Sequence, residues 1–115
     1  MSKDCIFCKI AAGEIPSNKV YEDDQVFAFH DINPQAPVHV LVIPKHHIAT
    51  LDDLGEADRA VAGHLLERVA HVARLLNIAD AGYRTLINCK EDGGQEVFHI
   101  HAHIFGGKRL GAMVA

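Results

Sequence analysis

The sequence predicts an α+β fold of five strands and two helices, and three observations carry that reading. Strand-like stretches follow one another without a helix between them, which argues against a parallel βαβ succession. One segment, Glu56 to Asn77, carries Val61, Leu65, Val69, Val72 and Leu76 at helical spacing. The 115 residues match the ordinary size of one domain, and such a chain buries about two-thirds of its unfolded surface without needing disulfides. Residues 1–115 are therefore read as a single domain.

The elements follow in order. Asp4 is expected to cap a short helix through Ala12, with Gly13 as its stop. Pro16 and Ser17 turn the chain into strands at Lys19 to Glu22 and Val26 to His30, joined by a hairpin at Asp23-Asp24. The two prolines between Asp31 and Pro37 mark a loop, and His39 to Ile43 is a strand closed by Pro44. Asp52, Asp53 and Gly55 precede the long helix. Tyr83 to Asn88 reads as a strand, Glu91 to Gln95 as a loop with paired glycines, and Val97 to Phe105 as the last strand, stopped by Gly106-Gly107.

Composition narrows the function. Eleven Lys+Arg against 15 Asp+Glu give a net charge of −4 with no basic stripe. A nucleic-acid polymer is an unexpected partner, because its affinity comes largely from neutralising phosphates; a single nucleotide needs only a local pocket. No apolar stretch approaches the roughly 18 residues of a bilayer span, and the first residues lack the apolar core of a signal peptide. The cytoplasm is the expected compartment, and the odd count of three cysteines fits a reducing environment. Nine histidines are a large excess for this length.

Three of them alternate in His99-Ile100-His101-Ala102-His103-Ile104-Phe105. On a strand, successive side chains face opposite ways, so the three imidazoles share one face while Ile100, Ala102 and Ile104 pack on the core. Two chemistries suit such a face. A His-x-His pair can hold a metal with a third ligand from elsewhere, although the outer two residues lie about 13 Å apart along a strand. Alternatively one neutral imidazole, most naturally the central His101, attacks phosphorus and splits one displacement into two. The loop Asp92-Gly93-Gly94-Gln95-Glu96 just ahead of this segment favours phosphorus, because glycines let backbone N–H groups approach an anion.

The His-x-His-x-His segment resembles the histidine triad (HIT) family signature. The resemblance extends through Cys5 to Ile10, Phe29-His30-Asp31-Ile32, Pro34 to Pro37, His39 to Lys45, Gly93-Gly94-Gln95 and Gly106-Gly107. The short length and the Gly-Gly-Lys-Arg-Leu-Gly tail are similar to the Hint branch of that family. The resemblance implies a five-stranded antiparallel sheet, a homodimer that joins two such sheets into ten strands, and hydrolysis of purine nucleoside 5′-monophosphoramidates of AMP or GMP. It implies that His101 is the nucleophile and that His103 contacts phosphate, with His39 beside the site and Asp31 on the ribose. It further implies that Ile6, Phe7, Ile10, Phe29 and Ile32 wall the base and that Asn88, Gly94 and Gln95 lie on the phosphate side. Where many proteins of the branch carry serine, this chain has Glu96, which either protonates the departing nitrogen or contributes only its backbone N–H. Cleavage of dinucleoside polyphosphates, a zinc hydrolase and a nucleotide-binding interaction module with weak catalysis are the competing functions.

Cys5-x-x-Cys8 has the spacing of a metal knuckle or a redox pair, and the strand context of a redox motif is missing. By the same resemblance Cys5, Cys8, His47 and His99 form a structural zinc site, while catalysis requires no cofactor. Cys89 is read as a structural thiol, and His64 and His71 as residues of the helix surface or dimer face.

Overall fold

A computed structural model describes residues 4–113. Five strands form one sheet in the order β1-β2-β3-β5-β4, with every neighbouring pair antiparallel. They are β1 (Lys19–Glu22), β2 (Val26–His30), β3 (Val38–Pro44), β4 (Arg84–Leu86) and β5 (Ala102–Gly106). Helix α1 spans Ile6–Ala11 and helix α2 spans Arg59–Leu75. Among the described residues, no helix is long and apolar enough to cross a membrane.

The period of two along the strands divides the molecule into two layers around the sheet. Val26, Ala28, Val40, Val42, Ala102 and Ile104 face one way and pack with Leu65, Val69, Val72 and Ala73 of α2. Phe27, Phe29, Leu41 and Ile43 face the other way and pack with Phe7, Cys8 and Ile10 of α1. The register pairs His39 with Phe105 and Leu41 with His103, which places both histidines on the α1 side. The long helix thus supports the sheet from behind, and the short helix shares the front with the histidines.

Several boundaries differ from the sequence expectation for identifiable reasons. Helix α1 is capped by Cys5, whose Sγ accepts the Cys8 N–H at 3.3 Å, and not by Asp4, which lies in an exposed turn. Residues 56–58 form a separate 3₁₀ turn, so α2 proper begins at Arg59. It ends where Asn77 takes a left-handed conformation (φ 60°) and the Ile78 N–H donates back to Ala73 O. His64 and His71 turn toward the β1–β2 hairpin: His64 Nε2 lies 2.7 Å from Asp23 Oδ2, and the His71 ring meets Tyr21 edge-on.

The largest correction concerns the histidine segment. Pairing with β3 begins only at Ala102, and residues 97–99 form bends. Pro44 at the end of β3 has no N–H for a further rung. Its carbonyl is taken instead by His99 Nε2 at 2.7 Å, and the Ile100 N–H donates to Ile48 O at 2.7 Å. The chain therefore leaves the sheet at His101 and runs along the segment after Pro44. Ile100, Ala102 and Ile104 are nonetheless buried as expected. The strand expected over Tyr83 to Asn88 shortens to Arg84–Leu86, whose last paired residue opposes His103.

Candidate active site

An open cleft of about 1190 Å³ lies on the α1 side of the sheet. This exceeds the roughly 300–1,000 Å³ of an ordinary small-molecule pocket, so it has room for a nucleotide and a leaving group. Phe7, Ile10 and Phe29 form its buried apolar wall, and Ile6 and Ile32 flank it as exposed residues, Ile32 at 91% exposure. Asp31, His39, Asn88, Gly94, Glu96, His101 and His103 also line it. Among the residues expected to bind a nucleotide, only Gln95 falls outside it.

Hydrogen bonds assign the tautomers of His39, His101 and His103, three of the four histidines that line the cleft. His101 Nδ1 lies 2.8 Å from the His99 carbonyl oxygen, which can only accept. The proton is on Nδ1, and Nε2 keeps its lone pair. His39 Nδ1 accepts the Gln35 N–H at 3.0 Å, so His39 carries its proton on Nε2. That Nε2–H donates to His103 Nδ1 at 2.9 Å. His103 in turn bears its proton on Nε2; Asn88 Nδ2, 3.5 Å away, can only donate, so the amide meets that proton only with its oxygen turned to the ring. A relay thus runs from a backbone amide through two rings and ends as an N–H donor in the cleft, beside a ring that offers a lone pair. The His101 and His103 rings are 4.9 Å apart, and Phe7 stands perpendicular to His101 at 5.0 Å.

Electrostatics keep these rings neutral. Burial lowers His39 and His101 below the ordinary imidazole value, against a weaker upward pull from Asp31. In His101 the bond to the His99 carbonyl also opposes the shift. Burial, then the neighbouring His101 and His39, push His103 down to about 4. Asp31 Oδ2 lies 3.4 Å from His39 Nε2, and its Oδ1 accepts the Asn33 N–H at 2.8 Å. Asp31, His39 and His103 are close enough to suggest a cation site. However, the proton on His39 Nε2 occupies the position a metal would need.

The glycine loop is organised differently from a simple cradle of N–H groups. The Gly94 N–H donates to Glu91 O and the Gln95 N–H to Lys90 O, both at 3.0 Å, so these two donors serve the loop itself. Gln95 is buried; its Nε2 donates to Ala49 O (2.8 Å) and Val97 O (3.0 Å), and its Oε1 accepts the Lys90 N–H (2.8 Å). It pins the loop rather than facing the cleft. A Cβ on Gly93 would sit 2.5 Å from the Cys89 carbonyl oxygen, so the close return of the loop requires glycine there. Glu96 is exposed at the cleft.

A second cluster lies behind the wall formed by Phe7. Donor atoms of Cys5, Cys8, His47 and His99 all fall within 4.8 Å of one another. His99 Nδ1 is 3.2 Å from Cys5 Sγ, 3.5 Å from Cys8 Sγ and 3.2 Å from His47 Nδ1, and Cys8 Sγ is 3.3 Å from His47 Nδ1. Because His99 Nε2 donates to the Pro44 carbonyl, Nδ1 presents a lone pair to the group. The two outer expectations for the triad therefore separate: His101 and His103 meet in the cleft, while His99 joins the cysteines. The partners that fix the tautomers, Gln35 N–H, His99 O and Pro44 O, are backbone groups and leave no mark in residue identity.

Residues 12–110 match the HIT domain family. The chain is 46% identical over 115 residues to the purine nucleoside phosphoramidase of Escherichia coli K12, covering all of this chain and 97% of the relative. It is 48% identical over 103 residues to protein HitA of Neisseria gonorrhoeae, covering 90% and 95%. Among solved structures, a HIT family hydrolase from Legionella pneumophila superposes with a TM-score of 0.94 at 45% identity, covering 97% of this chain and 100% of the other. A histidine triad protein from Clostridium difficile gives 0.94 at 48% identity and 97% coverage of each.

Proposed function

The chain belongs to the HIT family, and from that premise we propose that it hydrolyses the P–N bond of purine nucleoside 5′-monophosphoramidates through a nucleotidyl-histidine intermediate. The observation that carries the reading is the fixed His101 ring, whose only unprotonated nitrogen belongs to a side chain lining the cleft. The E. coli relative's name supports the substrate class.

In the first step His101 Nε2 forms a bond to phosphorus. The P–N bond breaks with its electron pair on nitrogen, which takes up a proton and departs as the amine. In the second step water attacks phosphorus, loses a proton, and the bond to Nε2 breaks, giving the nucleoside 5′-monophosphate. The Nδ1–H bond to His99 O stabilises the imidazolium-like ring of the intermediate, and His103 Nε2–H donates to a phosphoryl oxygen. Such preorganised donors at developing charge are commonly a large contribution. Asp31 accepts from the ribose hydroxyls, and the wall of Phe7, Ile10 and Phe29 with Ile6 and Ile32 holds the base by apolar contact. Rapid quenching with substrate followed by mass spectrometry should place a nucleotide adduct on His101. His101→Ala should lose adduct and turnover while still binding AMP; turnover by this variant would falsify the nucleophile.

The cysteine cluster fits zinc. Tetrahedral coordination with Zn–S near 2.3 Å and Zn–N near 2.0 Å requires ligand atoms about 3.3–3.8 Å apart; four of the six spacings here are 3.2–3.5 Å, and all lie within 4.8 Å. Two thiols and two imidazoles facing one buried point suit a soft, closed structural site. When bound, zinc would clamp α1 to the segments carrying His47 and His99; no step of the reaction passes through it. A homodimer forms part of the same proposal. Strand β4 lies at the sheet edge and presents an unpaired side, and pairing it with a second copy would extend the sheet to ten strands and cover that edge.

A further inference from the structure

We propose that Glu96 is a specificity-determining residue that selects phosphoramidates whose departing amine carries a second, positively charged nitrogen. This inference rests on the phosphoramidate reading above. Among the described residues, the cleft is lined by two carboxylates, Asp31 and Glu96, and by no lysine or arginine. Asp31 is engaged at the nucleoside end, with His39 and the Asn33 N–H. Glu96 has no hydrogen bond or ion pair with another described residue, and its backbone follows directly on Gln95, which is anchored at three points. Lys90, the basic residue of this loop, is tied to Asp52 at 2.8 Å and does not line the cleft.

An anionic phosphoryl group entering this cleft therefore meets a permanent negative charge without a permanent positive one. A polyphosphate leaving group would add to that repulsion. A neutral amine would leave it uncompensated. An ammonium two carbons beyond the scissile nitrogen would compensate both the phosphoryl oxygens and Glu96. Unit charges about 4 Å apart gain enough in water for roughly a fivefold preference, and more where solvent is partly excluded.

The test compares two adenosine 5′-phosphoramidates of similar size, one with a 2-ammonioethyl and one with a 2-hydroxyethyl amine, on wild type and Glu96→Gln. The quantity read is the ratio of kcat/KM for the cationic over the neutral substrate, so intrinsic leaving-group differences cancel between enzymes. The ratio should fall about fivefold or more in the variant, and the wild-type ratio should shrink as salt rises from 0.05 to about 0.5 M. If Glu96 acts instead as a general acid, the more basic neutral amine suffers most and the ratio moves the opposite way, which overturns the proposal. An unchanged ratio with both substrates cleaved overturns it as well. A wild type that cleaves neither substrate overturns the phosphoramidate reading, and the inference with it.

Discussion

His39 touches no reacting atom in the proposed mechanism, yet its removal should lower the rate by an amount the structure lets us work out. Its Nε2–H donates to His103 Nδ1 at 2.9 Å, and its Nδ1 is held as an acceptor by the Gln35 N–H. In His39→Leu both roles disappear. His103 then loses the bond that favours its Nε2–H tautomer, and Nδ1 is left without a donor in a partly buried site. A neutral hydrogen bond contributes about 1 kcal/mol, and a stranded polar group costs about 1–3 kcal/mol. If that difference is expressed in the transition state, kcat falls about fivefold to 150-fold. In His39→Gln the side-chain amide can still offer one acceptor and one donor in sequence, so most of kcat should survive. Steady-state kinetics on both variants, with KM and AMP affinity measured separately, check the reasoning. The loss belongs in kcat, since nothing in the relay grips the base. Equal damage by Leu and Gln would mean that His39 acts through packing alone, and wild-type kcat in His39→Leu would remove the relay from the mechanism.

Two further predictions follow from the same geometry. Burial lowers His101 and pushes His103 to about 4, whereas a free imidazole titrates near 6.5; the neutral rings persist as pH falls, so the acid limb of kcat/KM should lie below pH 6.5, and stability should decline between about pH 6.5 and 4 because the unfolded chain takes up protons that the folded His103 refuses. An acid limb at or above pH 6.5, or chemical denaturation curves showing no loss of stability between pH 6.5 and 4, would contradict this. Untagged protein should carry one zinc per chain by elemental analysis, and Cys8→Ser should lose it and melt at least about 5 °C lower; metal-free wild type, or a variant that keeps its metal, would count against the site.

Much of this architecture was legible because it depends on side-chain pattern. Alternation along β2 and β3 separates Phe27 and Phe29 from Val26 and Ala28, and the apolar residues at helical spacing on α2 announce the layer behind the sheet. Asp31, His39 and the wall of Phe7 and Ile10 reach the cleft expected of them, because short elements whose apolar face is fixed leave their other side chains little choice of direction. What was not legible is carried by backbone. The Gln35 N–H orients His39, and the Gly94 and Gln95 N–H groups close the loop instead of waiting for a phosphate. The family resemblance puts Gln95 on the phosphate side, but its amide answers three backbone groups. Residue type alone does not distinguish an amide that meets a ligand from one that holds a loop.

The departure of the triad from a regular strand has a physical consequence. On an extended strand all three imidazoles would face the same hollow, and two of them would compete for the same proton donors and the same substrate oxygens. Pro44 prevents that, since it cannot donate the rung that would hold His101 and Ile100 against β3. The chain bends toward Ile48, and His99 turns behind Phe7 to the cysteines. One residue then serves two sites with different atoms: its Nδ1 faces the thiols, and its carbonyl oxygen fixes the His101 ring. Because Phe7 packs edge-on against both His99 and His101, a shift of α1 must move the apolar wall of the cleft and the His101 ring together. The cysteine cluster and the cleft are therefore mechanically continuous through His99 and Phe7, and the proposed metal clamp on Cys5 and Cys8 would stiffen the cleft without touching it.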